Sequence, residues 1–352
     1  MLLKSPIQHR NFERAINRAK TIVTHGDSGS VTFVAGPSGA GKSTLKEHLA
    51  KDLYGPPEKW PDNKTLLLSV RATNAESGYF SSKDFFSRAL TILGDPFRGG
   101  TGEAAAAALV KGANSELLEF LSDPLWRSIR LAMTETKIRR AFECLAPVLG
   151  LKTLFIDEGQ SMCLTHVNRN PSDHLESLKC LAEEVRIQIF IFGTYDLLEI
   201  WNHSSQLNRR THLIHLQRYD GSDEGDRAAF FAILKMLGKT LPLENFRILS
   251  EHAKKILEWT HGVFGEVEAL LARARINAFA EGRESISWHH IEEAAYNPAQ
   301  LKRLADEIAL GEKRVRGVQQ QPRVGVSRSG VHMHRKKPGR RNPTRDKCGP
   351  AA

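Results

Sequence analysis

The sequence predicts an α/β fold: a parallel sheet with helices on both faces, then a small all-helical domain and a basic tail. Three observations predict it. Strand-like apolar runs alternate with amphipathic stretches up to about residue 220, the pattern of a parallel sheet joined by crossover helices. The glycine-rich stretch "GPSGAGKST" at residues 36–44 lies between one such run and one such stretch. From about residue 221 the strand patterns stop and helical patterns continue alone.

Residues 12–24, "FERAINRAKTIVT", carry apolar positions at helical spacing and form an entry helix. Residues 30–35 are a strand. After the glycine-rich loop, "KSTLKEHLAKDLY" is an amphipathic helix and "KTLLLSVRA" a second strand. Ser81 or Ser82 caps the helix "KDFFSRALTIL", which Gly94 and Pro96 end. Residues 98–130 hold a glycine pair, the run "AAAAALV" and a helical stretch to about Leu121. "TKIRRAFECLAPVLG" is a helix leading into the strand "KTLFID", and "SDHLESLKCLAEEV" a helix leading into the strand "IQIFIFG". "THLIHLQ" is the last strand. Four helical segments follow: "DEGDRAAFFAILKMLG", "ILSEHAKKILEWTHG", "FGEVEALLARARINAFAEG" and "SWHHIEEAAYN". The chain so divides into an entry helix (1–25), an α/β domain (26–220), a small helical domain (221–310) and a disordered tail (311–352).

Charge supports the last boundary. The net charge is +10, and residues 311–352 hold 12 Lys/Arg against 2 Asp/Glu, so residues 1–310 are balanced. A stretch so basic, rich in Gly, Pro and Gln, buries too little surface to fold alone. No segment approaches the ~18 consecutive apolar residues of a membrane span, and the N-terminus lacks the apolar core of a signal peptide. Cys144, Cys163, Cys180 and Cys348 show no CxxC spacing, which suggests buried thiols in the cytoplasm. His289-His290 and His332-x-His334 show no carboxylate or cysteine at ligand spacing, so no protein-only metal site is expected.

The loop fits G-x-x-x-x-G-K-[ST] with Gly36, Gly41, Lys42 and Ser43. A strand precedes it and a helix follows, as phosphate binding requires. Backbone N–H groups of Gly36, Pro37, Ser38, Gly39, Ala40, Gly41, Lys42, Ser43 and Thr44 make up the cradle, proline excepted, and the helix N-terminus adds its dipole. Lys42 is placed to neutralise the β- and γ-phosphates of ATP, and the Ser43 hydroxyl to ligate Mg²⁺. A second acidic element is needed, and "TLFIDEGQ" supplies it. A buried parallel strand delivers Asp157 and Glu158 at its C-terminal end, where open sheets bind ligands. Asp157 can hold Mg²⁺ through water, and Glu158 can polarise an attacking water as general base. The alternative is a solvated acidic turn. Thr194, after "IQIFIFG", is the candidate sensor of the γ-phosphate; a strand-terminal turn threonine is its alternative. Arg209 and Arg210 precede the last strand. An arginine there can face the nucleotide of a neighbouring subunit in a ring or filament, or it can serve as a helix C-terminal cation.

Together "GPSGAGKST", "LFIDEGQ", "IFGT", "QLNRRTHLIHLQRY" and "GVFGEVEALLARARINAFAEGRESIS" resemble an AAA+ ATPase, and more closely the TnsC/TniB-type AAA+ regulators of DNA transposition. The resemblance covers roughly residues 10–295. It implies Lys42 as Walker A lysine, Asp157 and Glu158 as the Walker B pair, Thr194 as sensor 1 and Arg210 as arginine finger. It also implies a homo-oligomer, ring or helical filament, that hydrolyses ATP with Mg²⁺ on double-stranded DNA and recruits a transposase to a target chosen by a target-selection protein, with no membrane role. The other reading is an AAA+ motor or switch in replication initiation or secretion. One departure stands out: lids of this kind often carry a sensor arginine where "GEVE" puts Glu268, so Arg273 or Arg275 would have to substitute. The long separation of Lys42 and Asp157 implies an insertion at about 98–135, where Lys111, Arg127 and Arg130 could touch phosphates or form a solvated helix face.

Overall fold

The computed structural model describes residues 9–62, 64–75, 78–93, 134–165, 170–202 and 210–320. The inferred insertion with Lys111, Arg127 and Arg130, together with Arg209 and residues 321–352, lies outside them.

Five short strands, β1 (Val31–Ala35), β2 (Leu67–Arg71), β3 (Thr153–Asp157), β4 (Gln188–Gly193) and β5 (Thr211–His215), form one parallel sheet in the order β2-β3-β4-β1-β5. Alternation along the strands sends side chains to two faces. Val31, Phe33, Leu68, Val70, Leu154, Ile156, Ile189 and Ile191 share a buried cluster with helices α3 (Ser82–Ile92), α4 (Glu135–Val148) and α5 (Pro171–Val185). Val34, Phe155, Phe190, Phe192 and Ile214 pack on the other face against α1 (Arg10–His25) and α2 (Lys42–Tyr54). Strands buried on both faces read as unbroken apolar runs, and β4 is "QIFIFG" for that reason. The helix starts are written locally. Ser81, rather than Ser82, caps α3, accepting from Asp84 N, and Asn170 with Asp173 forms a capping box ahead of Pro171.

A short helix α6 (Leu198–Asn202) follows β4. Beyond the sheet, α7 (Glu224–Thr240), α8 (Ile248–Glu251), α9 (Ala253–Thr260), α10 (Phe264–Ala280) and α11 (Trp288–Glu293) close around Phe230, Leu234, Leu249, Ile256, Leu270 and Ile291. The stretch 248–262, expected as one helical segment, is two helices. They part at His252, whose ring stacks on Trp288 with centroids 3.7 Å apart.

Three expectations need correction. The boundary at 310/311 falls inside a helix, α12 (Pro298–Gln320). Ile308 and Val315 are buried, Val315 in a cluster with Ala35, Tyr195 and Leu198. Glu312 accepts from Arg218 Nε at 2.7 Å, and Arg314 reaches Asp196 at 2.7 Å and Glu199 at 3.1 Å. The apolar stripe therefore holds residues 311–315 on the fold despite their basic neighbours. The cysteines also differ: Cys144 and Cys180 are exposed and Cys163 half-buried, because the first two stand off the buried stripes of α4 and α5. His289, finally, has carboxylate neighbours. Glu293 lies one turn along α11 at 3.3 Å, and Glu281 is close by, all three exposed. Among the described residues no helix is long and apolar enough to cross a membrane.

Gly311 sits directly on the ring of Tyr195, and a Cβ there would overlap it. Gly317, one to two turns on, faces open space. Gly311→Ala is expected to cost about 1–3 kcal/mol by overpacking and to expose α12 to proteolysis. Gly317→Ala is expected to gain about 0.5–1 kcal/mol. Melting curves and limited digestion of the two variants check this, and equal effects would contradict the docking of α12.

Candidate nucleotide site

Strand β1 ends at Ala35 and the chain turns through residues 36–41 into α2. The turn needs left-handed backbone at Gly39 (φ 72°) and Gly41 (φ 87°), which glycine adopts without strain. Lys42 is the first residue of α2, so the N–H groups of 42–44 open toward the loop. Its Nζ donates to Gly36 O at 3.0 Å and Pro37 O at 2.7 Å. Burial pushes the Lys42 ammonium down to about 8, against the pull of Glu158, Glu307 and Asp157. Ser43 and Ser38 are exposed, and Thr44 is half-buried.

Strand β3 delivers Asp157 and Glu158 at the same edge of the sheet. Asp157 Oδ2 accepts from Lys46 Nζ at 2.5 Å, and its Oδ1 accepts from Glu158 N at 3.0 Å. Glu158 takes a left-handed conformation (φ 55°), uncommon for a residue with a Cβ. Its Oε1 faces Arg71 Nη2 at 3.5 Å and its Oε2 accepts from Gln160 Nε2 at 2.5 Å. Strand β4 brings Thr194 to that edge as well, half-buried, with its N–H donating to Gln160 Oε1 at 3.2 Å. The loop, the acidic pair and the candidate sensor thus meet along the C-terminal ends of β1, β3 and β4.

The lid touches the loop through α10. Gly265 N donates to Gly39 O at 2.8 Å, so close that a Cβ on Gly265 would overlap Gly39. The two arginines expected as lid sensors are engaged elsewhere. Arg273 lies over the Tyr296 ring at 4.3 Å and donates to Ala294 O at 2.9 Å. Arg275 lies over Phe279 at 5.1 Å. Glu268, at the position of the usual arginine, is half-buried, and burial pushes its carboxyl up.

Arg210 stands apart. It immediately precedes β5 and therefore sits at the N-terminal edge of the sheet, opposite the loop. Its Nη1 pairs with Glu183 Oε1 at 2.9 Å on the exposed surface.

The donor set suits Mg²⁺. Ser43 Oγ and the Asp157 carboxylate are hard oxygen ligands, and the ammonium of Lys46 on Asp157 shows that this carboxylate faces a cation. The sequence motifs did not reveal Lys46, Arg71, Gln160, Gly265 or Glu307. Only Lys46 had a local signal, one turn after Lys42 on the same helix face.

A phosphate group at the loop would hold the proton on Lys42. ATP binding is therefore expected to take up protons above about pH 8, where the free ammonium begins to titrate, and to take up none through this group near pH 6.5. Titration calorimetry at pH 8.5 in two buffers of different ionisation heat reads the uptake. It should vanish in Lys42→Arg, whose guanidinium stays charged; persistence there would assign the proton to another group.

A family model described as an AAA domain matches residues 25–201. No curated protein matches significantly. Among solved structures, the Aeropyrum pernix ORC2 protein in its ADPNP-ADP complexes is similar at 16% identity. The match covers 89% of this chain and 80% of that one, with a TM-score of 0.52. The ADP form of the same protein is similar at 17% identity, over 82% of this chain and 69% of that one, with a TM-score of 0.51.

Proposed function

The chain belongs to the AAA domain family and has the fold of an AAA+ P-loop NTPase, and on that premise we propose that it is an ATPase that assembles on DNA to regulate transposition. It binds ATP with Mg²⁺, forms a ring or helical filament with its own copies on double-stranded DNA, and recruits or regulates a transposase alongside a target-selection protein. Its place is the cytoplasm. In this reading the loop of residues 36–44 holds the polyphosphate and Lys42 neutralises its outer groups. Ser43 and Asp157 would hold Mg²⁺, which would supply positive charge to the polyphosphate. Glu158 orients and deprotonates water, and Thr194 sits where a terminal phosphate can be sensed.

The observation that supports assembly is the position of Arg210. In a parallel sheet the N-terminal edge of β5 cannot serve the chain's own loop at the other edge. An arginine finger there acts on the nucleotide of a neighbouring copy. The transposition role rests on the resemblance of "QLNRRTHLIHLQRY" and "GVFGEVEALLARARINAFAEGRESIS". Duplex binding finds support in residues 321–352, which carry 9 Lys/Arg against one acidic residue and offer phosphate contacts without sequence readout.

Glu158→Gln is expected to bind ATP but to slow turnover by ~10²–10⁴-fold, and so to hold ATP-bound oligomers on duplex DNA. Lys42→Ala is expected to bind no ATP and to form none. Electron microscopy with ATP, with and without duplex DNA, reads both. Oligomers indifferent to nucleotide and DNA would overturn the assembly reading, and addition of an integrase-type transposase to the same samples tests recruitment.

Arg210→Ala is expected to bind ATP as a single chain yet hydrolyse it poorly. Mixed with Lys42→Ala it should regain part of the lost turnover, since each variant supplies what the other lacks. No recovery across mixing ratios would remove Arg210 from the shared site and make Arg209 the next residue to substitute.

A further inference from the structure

Helix α1 buries Phe12, Ala15, Ile16, Ala19 and Ile22 along one side. Asn11 Nδ2 ties its start to the carbonyl oxygens of Gln217 and Arg218, each at 3.2 Å. The other side of the helix is therefore held outward. It carries Arg10, Arg14 and Arg18, each four residues from the next and so in one row. Arg10 is already neutralised, since it pairs with Asp226 and lies over the Tyr219 ring. Arg14 and Arg18 are exposed and have no carboxylate partner among the described residues. Arg316 of α12, its side chain 71% exposed, lines one open cleft of about 560 Å³ together with Arg10 and Arg14. The acidic groups of that cleft are engaged. Asp226 holds Arg10, Glu312 holds Arg218 at 2.7 Å and leaves Arg316 at 3.8 Å, and Asp220 and Asp223 accept from the backbone N–H groups of Ser222 and Asp226.

We propose that the row on α1 and Arg316 form a surface that binds the phosphate backbone of duplex DNA; the inference rests on the DNA-binding part of the proposed function. At 1.5 Å per residue the row from Arg10 to Arg18 spans about 12 Å, over which one strand of a duplex sets roughly three to four phosphates. A guanidinium takes two phosphate oxygens at once, which an ammonium does not. The positions beside the row, Glu13, Asn17 and Thr21, are exposed and polar. Among the described residues no large hydrophobic of α1 is exposed. A protein partner would need an apolar or aromatic centre to desolvate, whereas a phosphate backbone needs only spaced cations. Four residues past Arg316 the chain passes into residues 321–352, where 9 Lys/Arg stand against one acidic residue, so cations continue in sequence from this surface. Contacts of this kind fix the position of the protein on the duplex and read no bases.

Titrating duplex DNA against salt, with the full chain in ATP and Mg²⁺, tests the surface. Each phosphate contact adds about 0.9 to the log–log salt slope, so Arg14→Ala and Arg18→Ala should each make it shallower by about 0.9 and the double variant by about 1.8. The loss should be the same for duplexes of unrelated sequence. Arg14→Lys keeps the charge and should keep the slope. Lys20→Ala is the control on the same helix: Lys20 already pairs with Asp52 at 2.8 Å, so its loss should leave the slope unchanged. An equal change in Lys20→Ala and Arg14→Ala would assign the effect to overall charge and overturn the surface. So would a double variant that binds DNA with wild-type affinity and slope, which leaves DNA binding intact but places it elsewhere. If that variant instead loses affinity for polyglutamate alone, the occupant is an acidic protein and the proposal is again overturned. A wild-type chain with no affinity for duplex at any salt would overturn the DNA reading itself, and this surface with it.

Discussion

Five parallel strands put all their C-terminal ends on one edge of the sheet, and the rest of the molecule depends on that constraint. Strand dipoles do little there, but chain direction does much. Each strand that reaches the edge must turn back through a helix, and the turns of β1, β3 and β4 deliver the glycine loop, the acidic pair and Thr194 side by side. The same rule sends Arg210 to the far edge. A single chain cannot fold its way around this, because reversing β5 would break its parallel pairing with β1 from Val31 to Ala35. An arginine directed at a nucleotide must then be directed at one in another copy.

Charge at the edge is balanced at close range. Lys42 is buried far enough that its proton is weakly held, and it bonds to two carbonyl oxygens of its own loop. Asp157 has Lys46, Glu158 has Arg71, and Glu307 of α12 adds a further negative charge within the field of Lys42. Adding the charges of a polyphosphate and a divalent cation must rearrange these pairs. A divalent cation at Asp157 would compete with the ammonium of Lys46 for one carboxylate, and a polyphosphate would compete with the Gly36 and Pro37 carbonyls for Lys42. Glu307 belongs to α12, which docks on residues 195–199 through Arg314 and on Arg218 through Glu312.

Sequence patterns reveal what chain neighbours decide. The loop, α2 and the acidic end of β3 were legible because each is a contiguous run with a direct chemical reason for its residues. All five strands and the capping of α3 were legible for the same reason. Arg71 and Gln160 were not. Arg71 meets the acidic pair only because β2 pairs with β3 in a register that sets it beside Asp157, and Gln160 matters only because Gly193 is glycine. The docked part of α12 was missed although its stripe is visible: Leu301, Leu304, Ile308, Gly311 and Val315 recur at spacings of three and four. The basic residues around 313–316 obscured it, since net charge says where a stretch is soluble and not whether one face of it packs.

The lid poses the question of how a nucleotide could be felt by a domain in which Arg273 and Arg275 are engaged with Tyr296 and Phe279. The backbone bond from Gly265 to Gly39 supplies a route. It joins the first turn of α10 to the loop with no side chain between; the approach itself requires glycine at 265, and the left-handed backbone favours it at 39. A displacement of the loop at Gly39 would then reach α10 at its N-terminus, and α10 is a 17-residue helix through the lid core. Side-chain sensing by an arginine would report the charge of a nucleotide. A backbone link reports the shape of the loop, which differs between an open and a filled cradle but hardly between two polyphosphates of similar charge. Under the proposed function, discrimination between them would fall to the other groups at the edge, Thr194 and the carboxylate of Glu158. The lid of this chain thus meets the loop through backbone, where an arginine would have met it through charge.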